Sequence, residues 1–264
     1  MNQNFPSDQL EMISGELSPK KYSCSECRNG AGLDFQFTMA YQPIIDTINK
    51  TVYSQEALVR GINKESAYEI LSRVTDVNRY QFDQACRVKA IELASRLKVD
   101  SYLNINFLPN AIYKPESCIR TTFEACKTFN FPANKLIFEI TEGERVTDHD
   151  HVISIFKSYK SMGFLTAIDD FGAGYSGLNL LAKFQPDIIK LDMELIRDIE
   201  KKRVTQVIVK SIMMACNELN IAVIAEGIET LEEFKVLQDF GIRYYQGYLF
   251  GKPSWEDLTP VHYP

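Results

Sequence analysis

Apolar residues along this chain fall into short runs separated by longer stretches of helical period. The β-rich runs lie at Thr38–Ile45, Val52–Val59, Tyr102–Phe107, Leu136–Thr141, Leu165–Ile168, Ile188–Leu191, Ala222–Ala225 and Tyr244–Phe250. Most are followed by apolar positions three and four apart, the spacing of an amphipathic helix. One such face begins after Arg203 and comprises Val204, Val207, Ile208, Ile212, Ala215 and Leu219; another carries Phe82, Ala85, Cys86, Ala90, Leu93 and Leu97. Runs such as Ile188-Ile189 and Ala222-Val223-Ile224-Ala225 are apolar without alternation, as strands buried on both faces of a parallel sheet are. About eight strands alternating with helices over roughly 230 residues predict an α/β fold, a TIM-type (β/α)8 barrel. A doubly wound open sheet is the competing arrangement; it would normally place a glycine-rich phosphate turn after the first strand, where Gln42-Pro43 stands instead. The first two runs are joined only by Asp46–Thr51, too short for a helical crossover, so these two strands are expected to pair antiparallel.

Residues 1–34 break this rhythm. They carry Pro6, Ser14, Gly15, Pro19, Gly30 and Gly32 with little periodicity, and read as a leader ahead of a single domain over 35–264. Within the leader, Cys24 and Cys27 form a C-x-x-C, but no second pair follows at zinc-finger spacing. Cys86, Cys126 and Cys216 sit in helical patterns among apolar neighbours, where a free thiol packs as a small hydrophobe. The start of the chain, with Asn2, Asn4, Asp8 and Glu11, lacks the basic and apolar stretches of a signal peptide, and no apolar run approaches the roughly 20 residues that span a bilayer. These features predict a cytoplasmic protein with no membrane partner. Of 264 residues, 29 are Lys or Arg and 35 Asp or Glu, a formal charge of -6; an acidic chain has no long-range attraction for a nucleic-acid polymer, so that partner class is set aside.

The polar residues matter because of where they interrupt the strands. Glu56 lies inside the second run; Asn104 and Asn106 interrupt Leu103-Ile105-Phe107; Glu139 and Glu142 flank Ile140-Thr141; Asp169 and Asp170 follow Ile168; Lys190 and Asp192 flank Leu191; Glu226 and Glu229 follow Ala225; Gln246 follows Tyr245. A carboxylate or lysine inside an apolar strand is costly unless it is paired or bound to metal. One such residue alone would be a solvated strand end or a helix cap. Nearly every strand carries one near its C-terminal end, and in a barrel those ends meet on one face, where active sites sit. The donors are carboxylate and amide oxygens, which favour Mg2+ or Mn2+ over zinc or copper. Adjacent Asp169 and Asp170, with Glu56, Glu139 and Glu226, suit two such ions, a standard arrangement for phosphodiester hydrolysis, and Lys190 would add a point charge near the phosphoryl group or its nucleophile. Asp148-His149-Asp150-His151 reads as a helix start rather than a metal cluster, Gly172–Gly177 lacks the G-K-[ST] ending of a phosphate loop and reads as an active-site loop, and the lone Trp255 reads as packing.

Taken in order, Glu56-Ala57-Leu58-Val59-Arg60, Asn104-Ile105-Asn106, Phe138–Glu142, Asp169–Ser176, Lys190-Leu191-Asp192, Ala225–Glu229 and Gln246–Phe250 resemble the signatures of the EAL-domain cyclic di-GMP phosphodiesterases over about residues 36–253. The resemblance implies a modified TIM barrel with one antiparallel strand and hydrolysis of cyclic di-GMP to linear pGpG. It implies that Glu56, Asn104, Glu139 and Asp169 hold a first metal ion, and that Asp169 bridges to a second held with Asp170 and Glu226. Lys190 would contact the nucleophilic water, Glu226 would serve as general base or ligand, and Arg60, Gln42 and Gln246 would meet the dinucleotide. Glu142 would anchor the Phe171–Ser176 loop, which in that family couples dimer contacts to metal binding, so a homodimer is implied. Two departures stand out. Gly61 follows Arg60 where the family commonly has Trp, and Asn106 replaces a usual Ser; the segment around Phe82–Arg87 is most like EAL domains attached to flavin-based blue-light sensors. Some members bind cyclic di-GMP without hydrolysing it or regulate a protein partner, and that is the alternative function the resemblance leaves.

Overall fold

The computed structural model of the protein describes residues 33–112, 114–141, 149–174 and 177–264. The first two apolar runs form β1 (Phe37–Asp46) and β2 (Thr51–Gly61), and the tight turn between them leaves only an antiparallel ladder, with Gln42 opposite Glu56. β3 (Tyr102–Asn106), β4 (Leu136–Thr141), β5 (Leu165–Phe171), β6 (Ile188–Leu191), β7 (Ala222–Ala225) and β8 (Tyr244–Gln246) then continue from β2, each parallel to its neighbour. β8 meets β1 antiparallel, Ile44 opposite Gln246, and closes the ring. The fold is therefore the expected TIM-type barrel with one strand reversed. Helices cover it: α1 (Ala67–Leu71), α2 (Arg79–Arg96), α3 (Pro115–Cys118), α4 (Arg120–Phe129), α5 (His149–Ser161), α6 (Gly177–Lys183), α7 (Met193–Ile196), α8 (Arg203–Glu218) and α9 (Leu231–Asp239). A short β9 (Ser254–Trp255), which the apolar pattern does not announce, pairs with β1 at Ala40 and Tyr41.

Strand alternation divides the apolar residues into two cores. Side chains on the outer face pack against the helices in one large cluster, while Ile44, Ile137, Ala167, Ile188 and Ile224 fill the barrel interior. The Tyr53 ring lies tilted against those of Tyr244 and Tyr102, with ring centroids 4.3 and 5.3 Å away, and packs against the inner cluster. Cys86, Cys126 and Cys216 are buried free thiols, as their apolar surroundings predict, and Cys118 is buried as well.

Two expectations change on contact with the structure. The last strand ends at Gln246 instead of running to Phe250, because the backbone turns at Gly247 to bond the 226–229 loop: Ile228 N–H donates to the Gln246 carbonyl at 3.1 Å and Leu249 N–H to the Ile228 carbonyl at 3.0 Å. A side chain at position 247 would collide with the Ile228 backbone, so only glycine permits that approach. In α8 the buried stripe is rotated from the expected face, of which Ile212 still packs against the core. Val204, Val207, Ile208 and Leu219 are exposed, and Val209, Met213 and Cys216 face the core. The helix carries two apolar stripes, and period alone cannot tell which one meets the barrel. In α2 the expected face is buried as read, together with Asp83, Gln84 and Arg87. Among the described residues no helix is long and apolar enough to cross a membrane. The C-x-x-C at Cys24 and Cys27 and the loop anchor Glu142 lie outside the described residues.

Candidate active site

The same alternation that fills the barrel builds its polar layer. Two residues beyond Ile137, Ala167, Ile188 and Ile224 stand Glu139, Asp169, Lys190 and Glu226, on the same inward face and one step nearer the C-terminal rim. β1 runs the other way, so its contribution, Gln42, stands two residues before Ile44. Glu56 sits opposite Gln42 and beside Asn104, and Asn106 lies beside Glu139. Adjacent strand residues should point to opposite faces, yet Asp169 and Asp170 join one cluster. The β5–β6 register shifts between Ile168 and Phe171, and Asp170 has φ +52, in the left-handed region disfavoured for a side chain other than glycine. That irregularity turns both carboxylates toward the same place, and backbone strain of this kind is found where a site needs it.

At the centre is Lys190, whose side chain is 1% exposed. Its ammonium lies 3.1 Å from Glu56 Oε2, 3.1 Å from Glu139 Oε2, 3.0 Å from Asp169 Oδ1 and 2.7 Å from Glu226 Oε1. Amide donors complete the ring. Gln246 Nε2 donates to Glu56 Oε2 at 2.7 Å, Asn106 Nδ2 to Glu56 Oε1 at 3.0 Å, Asn104 Nδ2 to Glu139 Oε1, and Gln246 also to Gln42 Oε1 at 3.3 Å. Above this layer opens a cleft of about 310 Å3, bounded by Asp170, Asp192, Met193, Glu229 and Tyr248 as well as by the cluster itself.

The electrostatics of this layer are unbalanced. Burial works against the Lys190 charge, but the surrounding carboxylates outweigh it and hold its pKa well above the ordinary lysine value. Burial, reinforced by Glu56 and Asp169, pushes Glu139 up to about 8; burial and Asp169 push Asp170 up to about 6; burial and Asp169 raise Glu226 well above the carboxylate range. Carboxyl groups that retain protons near neutrality report a shortage of positive charge around them. Five carboxylates face one ammonium, a formal deficit of four charges that two divalent cations would cancel.

The donor geometry fits such ions. One carboxylate oxygen from each of Glu56, Glu139 and Asp169 can lie within 4.8 Å of the others, and so can one from each of Asp169, Asp170 and Glu226. Asp169 belongs to both groups, as a bridging ligand would. Asn104 Oδ1 is buried without a hydrogen-bond partner, an arrangement that costs free energy unless a cation or ligand satisfies it. All these donors are hard oxygens.

Nine of the residues singled out from the sequence therefore meet at one rim: Gln42, Glu56, Asn104, Glu139, Asp169, Asp170, Lys190, Glu226 and Gln246. Arg60 stands apart from them, half-buried, with Nη1 donating to the Val59 carbonyl at 2.7 Å. Asp192, Met193 and the exposed ring of Tyr248 complete the cleft without having been chosen as site residues. Tyr248 directly follows Gln246-Gly247, and an exposed aromatic beside a polar strand end was the available signal.

The EAL domain family model matches residues 30–253. A standalone versatile EAL protein from Vibrio cholerae O395, solved in a cyclic di-GMP-bound form, is 56% identical with a TM-score of 0.85, over 87% of this chain and 97% of that one. The blue light- and temperature-regulated antirepressor BluF of Escherichia coli is 31% identical over 85% of this chain and 56% of its own length. The cyclic di-GMP phosphodiesterase PdeR of the same organism is 38% identical over 51% of this chain and 21% of its own length. The chain thus spans about half or less of these two curated relatives.

Proposed function

This chain belongs to the EAL domain family, and from that premise we propose that it is a metal-dependent phosphodiesterase that opens one phosphodiester bond of cyclic di-GMP to give linear pGpG. The observation that carries the reading is the charge deficit: four carboxylates meet one lysine with Asp170 beside them, in two oxygen-donor groups that share Asp169. Glu56, Asn104, Glu139 and Asp169 would hold one Mg2+ or Mn2+, and Asp169, Asp170 and Glu226 a second. When bound, two such ions supply positive charge to the phosphoryl oxygens and acidify the attacking water.

The protein's own groups divide the remaining work. The Lys190 ammonium is held by four carboxylates within 3.1 Å, so it stays charged and fixed beside the position of the attacking oxygen, where preorganised charge lowers the barrier. Glu226, 2.7 Å from that ammonium, would either complete the ligands of the second ion or take the proton of that water. Attack at phosphorus expels the 3′-oxygen, which leaves the 5′-phosphate on the linear product. Arg60 pairs with a phosphate of the dinucleotide, while Gln42 and Gln246 line its path; the Gln246 Oε1 atom, a buried acceptor without a partner, is available to it. A cytoplasmic site of action accords with this substrate. A homodimer goes with the reading too, and the apolar stripe of Val204, Val207 and Ile208 left exposed on α8 suits a second copy.

A second reading, that of a module regulating a protein partner, is favoured by one observation: a relative with this domain carries the name antirepressor. The two separate in one experiment. Purified wild-type protein is incubated with cyclic di-GMP and Mn2+, and the products are resolved by chromatography beside those of Asp169→Ala. Linear pGpG from the wild type alone supports the phosphodiesterase. Bound but intact cyclic di-GMP with both proteins supports the non-hydrolytic module.

A further inference from the structure

The chain does not leave the barrel after β8. It folds back along β1 and makes contacts at or beside two of the three residues assigned above to substrate, Gln42 and Arg60. Gln42 Nε2 donates to the Gly251 carbonyl at 3.1 Å. Four residues further on, Trp255 donates its indole N–H to the carbonyl of Gly61 at 3.1 Å, the residue that directly follows Arg60. β9 pairs with β1 along the edge away from β2, so the indole spans β1 to make this bond. The anchor continues at Glu256, whose N–H donates to the Met39 carbonyl at 3.0 Å and whose carboxylate accepts from Thr38 Oγ1 at 2.5 Å and Arg96 Nη2 at 2.8 Å. Thr38 is the residue opposite Arg60 in the β1–β2 ladder.

The turn that Trp255 holds starts at the end of the β1–β2 ladder, where Gly61 stands opposite Phe37, and beyond that point Asn63 N–H donates to the Glu65 carboxylate at 2.8 Å. Its own bonds are local: Lys64 N–H to the Gly61 carbonyl at 3.1 Å and Gly61 N–H to the Glu65 carbonyl at 3.0 Å. The space a side chain at position 61 would occupy is taken by the folded-back Glu65 carboxylate, so the turn cannot anchor itself through that residue. Trp255 supplies the contact from outside, and Lys64 caps the far side with its ammonium 5.9 Å from the indole centroid. The Arg60 guanidinium donates to the carbonyl of Val59, so its direction follows the backbone of residues 59–61, a stretch held by the β1 ladder and secured at its Gly61 end by the indole.

We propose that residues 251–256 form a strap that positions two of the dinucleotide contacts, Gln42 and Arg60, with Trp255 the positioning residue for Arg60. The inference rests on the phosphodiesterase reading for its substrate. Trp255 touches no reacting atom, so the strap acts on binding and not on the chemical step.

The test is Trp255→Phe, which keeps an aromatic ring and removes the N–H donor, in the full chain with Mn2+, alone and combined with Arg60→Ala. Steady-state cyclic di-GMP turnover is measured together with amide hydrogen exchange. KM is expected to rise about 3- to 10-fold, the worth of one neutral hydrogen bond, with kcat little changed and faster exchange at the amides of residues 61–64. In the Arg60→Ala background, Trp255→Phe should raise KM no further, because the residue it positions is gone. A parental KM with parental exchange overturns the strap, as does an equal KM increase in both backgrounds, which marks a merely structural role. Wild-type protein that neither binds nor hydrolyses cyclic di-GMP would instead refute the functional reading, and the exchange data, which need no substrate, keep the two failures apart.

Discussion

Lys190 keeps its charge because four carboxylates surround it, and two of those same carboxyl groups, with Asp170 beside them, hold protons well above their ordinary range. The folded, metal-free protein therefore retains protons on Glu139 up to about pH 8 and on Asp170 up to about pH 6, which the unfolded chain releases near 4.5 and 3.8. An acid with a raised folded pKa stabilises the fold below the unfolded value and loses that contribution as pH climbs through the folded one. In chelator, the thermal midpoint should fall between pH 5 and pH 8. Because bound cations require deprotonated ligands, added Mn2+ should raise the midpoint more at pH 8 than at pH 5. A midpoint unchanged across this range, with and without Mn2+, would contradict the charge deficit. Kinetics separate the roles of two cationic side chains: Lys190→Ala should lower kcat by orders of magnitude while cyclic di-GMP still binds, and Arg60→Ala should chiefly raise KM. A parental kcat in Lys190→Ala would remove that residue from the mechanism. At this scale the sequence was informative where a carboxylate, amide or lysine broke an apolar strand, as Glu56, Asn104, Glu139 and Lys190 do. It was silent on partners. Nothing in the spacing of Asn106 or Trp255 announces a bond to Glu56 or to Gly61, because those contacts join residues 50 and 194 positions apart.

At the scale of the element, period explains both what was legible and what was not. A strand has two faces that differ in kind here, helices outside and a closed interior inside; the sequence marked Glu139, Asp169, Lys190 and Glu226 as polar breaks in apolar runs, and the inner cluster two steps before them shows that they point inward. The pairing of β1 with β2 followed from the short turn between them. The bulge at Asp169–Asp170 did not, since it depends on the register with β6. α8 shows the limit for helices. Its two apolar stripes obey the same period, and most of the one that looked like the core face, Val204, Val207, Ile208 and Leu219, is left in solvent. An exposed stripe of that size is where a second copy would sit. Ile208→Glu should shift the protein toward monomer in sedimentation velocity, with a thermal midpoint near that of the parent at matched monomer content, because Ile208 contributes to no buried core. A dimer of unchanged affinity would place the interface elsewhere.

For the whole molecule, one reversed strand closes the ring, seven parallel neighbours carry their polar residues to a common rim, and the chain beyond β8 returns to secure that rim. Among the described residues the arrangement concentrates negative charge in a buried layer around one lysine, and the proposed cation dependence rests on that layer more than on any single residue. If dimerisation across α8 also sets the 170–176 loop, a coupling of about 1–3 kcal/mol would change substrate affinity by roughly 5- to 150-fold, and specific activity at subsaturating substrate should fall on dilution. The central claim is metal-dependent hydrolysis, and its most direct measurement is cyclic di-GMP turnover by the purified chain after exhaustive chelation, with Mg2+, Mn2+ or Ca2+ then restored. The account predicts no product in chelator, linear pGpG on return of Mg2+ or Mn2+, and none with Ca2+, whose larger radius and looser coordination misplace the attacking water. Undiminished pGpG production in chelator, or none with either Mg2+ or Mn2+, would contradict it.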